Sequence, residues 1–291
     1  MTVINKAQTG ETPLLGIALL VFGVALAAGT DAIAKYLGAD LTVAQIVWGR
    51  YVFGLLPLIP FIFAHMGPGE IRRYLGLLEL LRAGSMLAMA IFYFSAIQYM
   101  PLADALGLLF LYPLLAAGLA VLFLGERISA VFVGLSVISF IGALMVIRPG
   151  YGEVNLGAIF AALAALAVAI SMVINRKLAG RTPVFAGMVV ATVFGLVIST
   201  PVVPFFWVVP NLEQWALLAA VGFSSTLVTW MLFSAFLHGP ASVIAPFGYS
   251  EIVAATALGY FIFGDFPDGW ALTGIVVICL AGIVMAMRKG G

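Results

Sequence analysis

The chain has 291 residues, of which 64% are hydrophobic and only 9% are charged; its formal net charge is +1, and no basic run suggests a nucleic-acid partner. A soluble domain carries about 25% charged and 45–50% apolar residues, so this composition excludes a water-soluble globular protein, whose surface could not hide so much apolar side chain. Because lipid is itself an apolar solvent, the composition predicts an integral membrane protein.

The polar stretch 1–12 is predicted to be a cytoplasmic tail, and an apolar run too long for a signal-peptide core follows it directly. Ten apolar segments of about 20 residues then succeed one another, separated by short turns rich in glycine and proline. The segments are 13–38, 42–65, 74–99, 101–124, 129–147, 154–178, 184–209, 213–237, 240–264 and 269–288. Because these runs are continuous and do not alternate, they predict membrane-spanning helices and not the strands of a barrel.

Lysine and arginine are distributed unequally between the two ends of the segments. If the N-terminus lies in the cytoplasm, nine of the 13 basic residues fall on the cytoplasmic side and two on the opposite side, while Arg50 and Arg82 lie within segments. An excess of positive charge in cytoplasmic loops predicts that both termini are cytoplasmic. We expect a bacterial-type cytoplasmic (inner) membrane as the location.

The sequence repeats itself in its second half. At an offset of 139 residues, Pro101 corresponds to Pro240 and Glu126 to Asp265. The two repeats are 13–148 and 154–288, and each holds five of the predicted segments. Because five is odd, the two halves enter the membrane in opposite directions. The predicted fold class is therefore all-α, with ten transmembrane helices as two inverted five-helix repeats, an architecture common in secondary transporters.

The chain resembles the drug/metabolite transporter superfamily, in its ten-span branch built from two EamA-type domains. The residues that carry the resemblance are Pro101-Leu-Ala-Asp-Ala with Pro113, the exit Gly125-Glu126-Arg127, Gln45 with Arg50, and Pro240 with Gly264-Asp265. The resemblance extends over about residues 13–288. It implies solute export or uptake, and bacterial amino-acid exporters are among the best-known members.

Charged residues inside the segments are candidates for function, because a charge in hydrocarbon costs several kcal/mol. Glu251 lies eleven residues into the ninth segment, near the middle of a core roughly 30 Å thick. It either binds a cationic group, takes up a coupling proton, or serves as a protonated structural acid. Arg50 either holds a substrate carboxylate, which its planar fork fits, or pairs with an acid to hold helices together.

Two further pairs of charges lie one helical turn apart. Asp31 and Lys35 predict either an i,i+4 ion pair at the membrane rim or a gate or substrate contact. Glu79 and Arg82 predict an interfacial ion pair near the start of the third segment.

Deep aromatic and polar side chains complete the predicted substrate-binding set. Such groups line a wet cavity or bond across helices. The set is Asp31, Arg50, Tyr93, Asn175, Trp230, Tyr249 and Glu251, and Glu251 is also the proton-coupling candidate. The sequence offers no metal-ligand cluster and no nucleophile with a base, so we expect neither an enzyme nor a cofactor.

These features predict a secondary active transporter that exports a small polar metabolite by alternating access, with amino acids as the leading class. Uptake or exchange of a vitamin, nucleobase or quaternary amine is the alternative, and a passive channel is the alternative from another class. The expected partners are the solute, the lipid bilayer and a coupling proton. Monomer and homodimer both remain open.

Overall fold

The computed structural model describes residues 13–65, 74, 76–124, 130–147, 156–178 and 183–288. The predicted tail 1–12 and the exit Gly125-Glu126-Arg127 lie outside these residues. Within the described residues, every regular element is a helix. The predicted all-α class is therefore confirmed for this part of the chain.

The helices follow the predicted segments closely. In chain order they are α1 (Pro13–Leu37), α2 (Val43–Leu55), α3 (Ile59–His65), α4 (Leu77–Tyr99), α5 (Leu102–Leu109), α6 (Tyr112–Leu124), α7 (Ala130–Ile147), α8 (Leu156–Leu178), α9 (Val184–Ser199), α10 (Leu212–Ala235), α11 (Ala241–Ile244), α12 (Ser250–Leu258) and α13 (Gly269–Arg288). Among the described residues, six helical stretches are long and apolar enough to cross a membrane, and shorter apolar helices lie at 133–146, 184–199 and 269–284. The chain is an integral membrane protein, and the count of ten spans stays a prediction.

Several predicted segments are interrupted helices rather than continuous ones, and in 42–65 a 3₁₀ turn at Leu56–Leu58 separates α2 from α3. The segment 101–124 breaks at Phe110 and Leu111, between α5 and α6. Pro113 explains this break, because it has no N–H to donate to the carbonyl four residues earlier. The continuous helix predicted for 240–264 is also wrong: a 3₁₀ segment that contains Pro246 separates α11 from α12, and a π-helical turn follows α12.

Small residues allow the helices to approach closely. α4 packs along α8, α1 along α10, and α7 along α13. At the last contact, a Cβ atom on Gly142 would lie 2.9 Å from the carbonyl oxygen of Gly274, so neither position leaves room for a side chain. Close backbone approach of this kind is typical of helix pairs in membranes.

Gln45 fixes the start of α2, the helix that carries Arg50. Thr42 and Gln45 form a capping box at the helix N-terminus. The buried Gln45 amide also donates to the carbonyl of Val208 at 2.6 Å and accepts from its N–H at 3.0 Å. The amide therefore ties α2 to the segment that leads into α10.

Candidate functional site

Four of the predicted site residues meet although they come from four different helices. Asp31 lies on α1, Arg50 on α2, Tyr93 on α4 and Glu251 on α12. The Tyr93 hydroxyl lies beside the Asp31 carboxylate, and Asp31 interacts electrostatically with Arg50. Glu251 interacts electrostatically with both Asp31 and Tyr93. We refer to these four residues as the central cluster.

The position of Asp31 is fixed by its neighbour Thr30. The Thr30 hydroxyl oxygen lies 2.9 Å from the carbonyl oxygen of Leu26 and 2.7 Å from the Ser224 hydroxyl oxygen, and it is hydrogen-bonded with both. Thr30 is buried, with 4% of its surface exposed. These bonds hold α1 against α10 one residue before Asp31, so its side chain enters the cluster from a rigid helix.

Arg50 is held by an aromatic face. The centre of its guanidinium lies 5.6 Å from the ring centroid of Phe94, which is fully buried. Such a contact stabilises a cation without neutralising it. Within the described part of the chain, Arg50 forms no direct ion pair with Asp31 or Glu251. The guanidinium fork therefore keeps its capacity to bind a carboxylate.

Glu251 lies in the first turn of α12, directly after the 3₁₀ segment that interrupts this span. Its neighbours are Tyr93 and Tyr112, the latter at the start of α6. Glu251 as a whole residue is partly buried, and no described cation pairs with its carboxylate. Interrupted helices near the middle of a membrane often present such groups to a substrate or a coupling ion.

Tyr249 adjoins the cluster through other aromatic residues. Its ring centroid lies 4.9 Å from that of Phe110, and its hydroxyl interacts electrostatically with Tyr112. Gly282 leaves the space that this hydroxyl occupies, because a Cβ atom at that position would collide with it. Together with Tyr93 and Tyr112, Tyr249 thus forms a wall of aromatic side chains beside Glu251.

Asn175 and Trp230 lie elsewhere. Asn175 is exposed near the end of α8. Trp230 is 53% exposed and lines a mainly apolar cavity of about 760 Å³, together with Ser224 and Thr226 of α10. The contacts of the central cluster include neither residue, and their predicted roles in substrate binding stay predictions.

The two other predicted ion pairs have different outcomes. Glu79 and Arg82 form the expected pair at 2.7 Å. The i,i+4 pair of Asp31 with Lys35 is wrong, because the Lys35 ammonium lies 2.6 Å from the Asp265 carboxylate and donates to the carbonyl of Met100 at 3.2 Å. Asp31 faces the cluster instead.

Sequence reasoning missed three aromatic residues of the site: Phe94, Phe110 and Tyr112. For Tyr112 a signal existed, because at the offset of 139 residues it is the counterpart of Glu251. No three His, Cys, Asp or Glu side chains come together as metal ligands in the described residues.

Sequence similarity to known proteins extends over almost the whole chain. The model of the EamA-like transporter family matches residues 14–148 and again residues 155–288. The pseudopaline exporter CntI of Pseudomonas aeruginosa is 32% identical over 282 residues, which cover 95% of this chain and 97% of that protein. The S-adenosylmethionine uptake transporter of Rickettsia felis is 29% identical over 268 residues, covering 92% and 91%. One crystal structure shares the fold, with a TM-score of 0.62, 18% identity and coverage of 96% and 98%.

Proposed function

The chain belongs to the EamA-like transporter family, and we propose that it carries a zwitterionic metabolite with an amino-acid group through the central cluster. It is an integral membrane transporter of a small metabolite and not an enzyme. The proposal concerns the class of substrate and the mechanism, secondary transport by alternating access.

One observation carries the proposal: Asp31 and Arg50 lie close enough to interact but form no direct ion pair in the described structure. An acid and a base inside a membrane are expensive unless each is compensated. A zwitterion compensates both, since its ammonium group can bind Asp31 while its carboxylate binds the Arg50 fork. Tyr93 supports this arrangement because its hydroxyl, a hydrogen-bond donor, lies beside the Asp31 carboxylate.

The substrate named for one of the relatives is compatible with a zwitterionic metabolite. S-adenosylmethionine, the substrate named for the Rickettsia relative, carries an α-ammonium and an α-carboxylate group. The two relatives are named for opposite directions of transport, one for uptake and the other for export. Export by this chain therefore stays a prediction.

The helix packing supports two inverted five-helix repeats. Exchange of the two halves converts the α1–α10 pair into the α8–α4 pair, and the α2–α10 pair into the α9–α4 pair; both members of each exchange are in contact. Phe110 and Tyr249 are counterparts at the offset of 139 residues, and their rings meet at 4.9 Å. Near-equivalent halves around one site are suited to alternating access.

The proposed topology places both termini in the cytoplasm of a bacterial cell. It can be tested with a single cysteine introduced at Gly180, after the native Cys279 has been replaced by serine. We expect an impermeant thiol reagent to leave this cysteine unmodified in intact cells and to modify it in inside-out vesicles. Modification from outside in intact cells would refute the orientation.

Counterflow in proteoliposomes tests the function itself. We expect saturable exchange of labelled amino acids or amino-acid derivatives that Asp31→Asn and Arg50→Gln strongly reduce but leave measurable. Asp40→Asn is the matched control, because Asp40 is an exposed acid just beyond α1 that accepts a bond from Gln214. Linear, unsaturable flux would identify a channel, and competition only by compounds without an amino-acid group would refute the proposed class.

A further inference from the structure

We propose that Glu251 and the tyrosines beside it form a second, cation-binding subsite, so that the preferred substrate carries one positive charge beyond its amino-acid group. The inference rests on the proposed function, because it assumes that Asp31 and Arg50 bind the zwitterionic group. It adds the class of side chain that the substrate bears: a sulfonium, a quaternary ammonium or a guanidinium.

The balance of charges leads to this subsite. The central cluster contains two carboxylates, those of Asp31 and Glu251, but only one guanidinium. A bound zwitterion adds one ammonium and one carboxylate, which compensate Asp31 and Arg50 and leave Glu251 as before. An ionised carboxylate at this depth costs several kcal/mol, which the group avoids by taking up a proton unless a cation lies beside it. A second cation on the ligand removes that cost, whereas a neutral side chain does not.

No described residue of the chain supplies the missing cation. Lys35, four residues beyond Asp31 on α1, is bound to Asp265 at 2.6 Å and lies 5.0 Å from the ring centroid of Phe263. Arg50 is held over Phe94 and faces Asp31. Glu251 is half-buried and unpaired within the described part of the chain, so its carboxylate is available to a ligand.

The aromatic surroundings of Glu251 match a weakly hydrated cation. Tyr93 and Tyr112 both interact with Glu251, and the wall continues through Phe110, whose ring centroid lies 6.2 Å from that of Tyr112 and 4.9 Å from that of Tyr249. The faces of aromatic rings attract cations through their quadrupoles, and the attraction grows when the cation is desolvated. A carboxylate beside several rings therefore favours an onium or guanidinium group over a neutral one.

Two matched pairs of compounds test the subsite. S-adenosylmethionine and S-adenosylhomocysteine differ by a methyl group and the sulfonium charge, and arginine and citrulline differ by the guanidinium charge at nearly the same shape. Each compound competes for counterflow in proteoliposomes of the full-length protein. We expect the charged member of at least one pair to compete at a concentration at least tenfold lower than its neutral partner.

Variants then assign this preference to its residues. Glu251→Gln should reduce the ratio within that pair to below twofold. Tyr112→Leu, which removes an aromatic face and no charge, should lower the ratio at least threefold, and Tyr112→Phe should preserve it. The Tyr112 variants keep the test decisive if Glu251→Gln does not fold, which size-exclusion chromatography and thermal unfolding would reveal.

The outcomes separate this inference from the proposed function. Equal competition within both pairs, with competition strongly weakened by Arg50→Gln, would overturn the second subsite and leave the amino-acid site intact. A charge preference that persists in Glu251→Gln would also overturn it. If no amino-acid derivative of either kind competes, the proposed function fails together with the subsite.

Discussion

The charges near the start of α4 and the charges of the central cluster are compensated in different ways. Arg82 donates from Nε to Glu79 at 2.9 Å and from Nη2 to the carbonyl of Gly187 at 2.8 Å, so this pair joins α4 to α9. Asp31 and Arg50 interact without a direct ion pair. The difference teaches that charges which satisfy one another hold helices together, whereas charges held apart keep their binding capacity for a ligand.

The largest expected effect concerns the charges held apart. Asp31→Asn or Arg50→Gln should lower transport about 30- to 4,000-fold, because truncation of one partner in a buried charged contact costs about 2–5 kcal/mol and each 1.4 kcal/mol is tenfold. The thermal unfolding temperature of Asp31→Asn should stay the same or rise, since one of the two carboxylates beside a single guanidinium has been removed. Counterflow and thermal unfolding on the same preparations check both. An unfolding temperature of Asp31→Asn below that of the wild type would instead show that Asp31 holds helices together.

A variant of Glu251 sharpens the comparison between the two groups of charges, on the hypothesis that the Glu251 carboxylate also carries the coupling proton. Glu251→Gln should then abolish accumulation driven by a pH gradient, because an amide cannot release a proton. Exchange of an amino acid with a neutral side chain should persist, since exchange requires no net proton release. Measurement of both fluxes in proteoliposomes checks this. Accumulation in the variant that still follows the pH gradient would contradict the proton role.

The pair of Glu79 and Arg82 should respond in the opposite way to the central cluster. Glu79→Gln should destabilise the protein by about 3 kcal/mol, because it leaves a buried guanidinium without its partner. The double variant Glu79→Gln with Arg82→Met should be less destabilised, as no charge remains. Transport per folded molecule should change less than twofold in either. These values come from thermal unfolding and from counterflow normalised to folded protein, and a large loss of transport at unchanged stability would break the distinction.

The smallest effect is expected at Lys35 and Asp265, a satisfied pair that is partly open to solvent. The side chain of Asp265 is 35% exposed, and exposed pairs contribute about 0–1 kcal/mol. Lys35→Met should therefore lower stability only slightly and reduce transport no more than about fivefold. The exchanged pair Lys35→Asp with Asp265→Lys should recover part of any loss. Complete loss of transport in Lys35→Met would place Lys35 among the substrate contacts.

The sequence was sufficient to predict the helices, because the apolar runs are long and the turns between them contain glycine and proline. It predicted the interruptions less well. Pro246 and Pro113 lie within apolar runs, and whether a proline bends a helix or divides it depends on what the neighbouring helices offer the freed backbone groups.

The central cluster was partly predictable for a physical reason. Charged residues inside hydrocarbon are rare, and their position within apolar segments identified Asp31, Arg50 and Glu251 as candidates. The partner of such a charge depends on tertiary packing: Lys35 binds Asp265, 230 residues away, and not the acid one turn before it. Aromatic contacts such as that of Phe94 with Arg50 carry no sequence signal, since one phenylalanine in an apolar helix resembles any other.

The central claim, that Asp31 and Arg50 recognise the two charges of one zwitterion, is tested most directly by analogues that lack one charge. The amino-acid derivative that competes best in counterflow is compared with its methyl ester, which lacks the carboxylate, and with its deaminated acid, which lacks the ammonium group. Competition with the wild-type protein should weaken at least tenfold for each analogue, and Arg50→Gln should no longer distinguish the parent from the ester. Equal competition by either analogue and the parent compound would contradict the account.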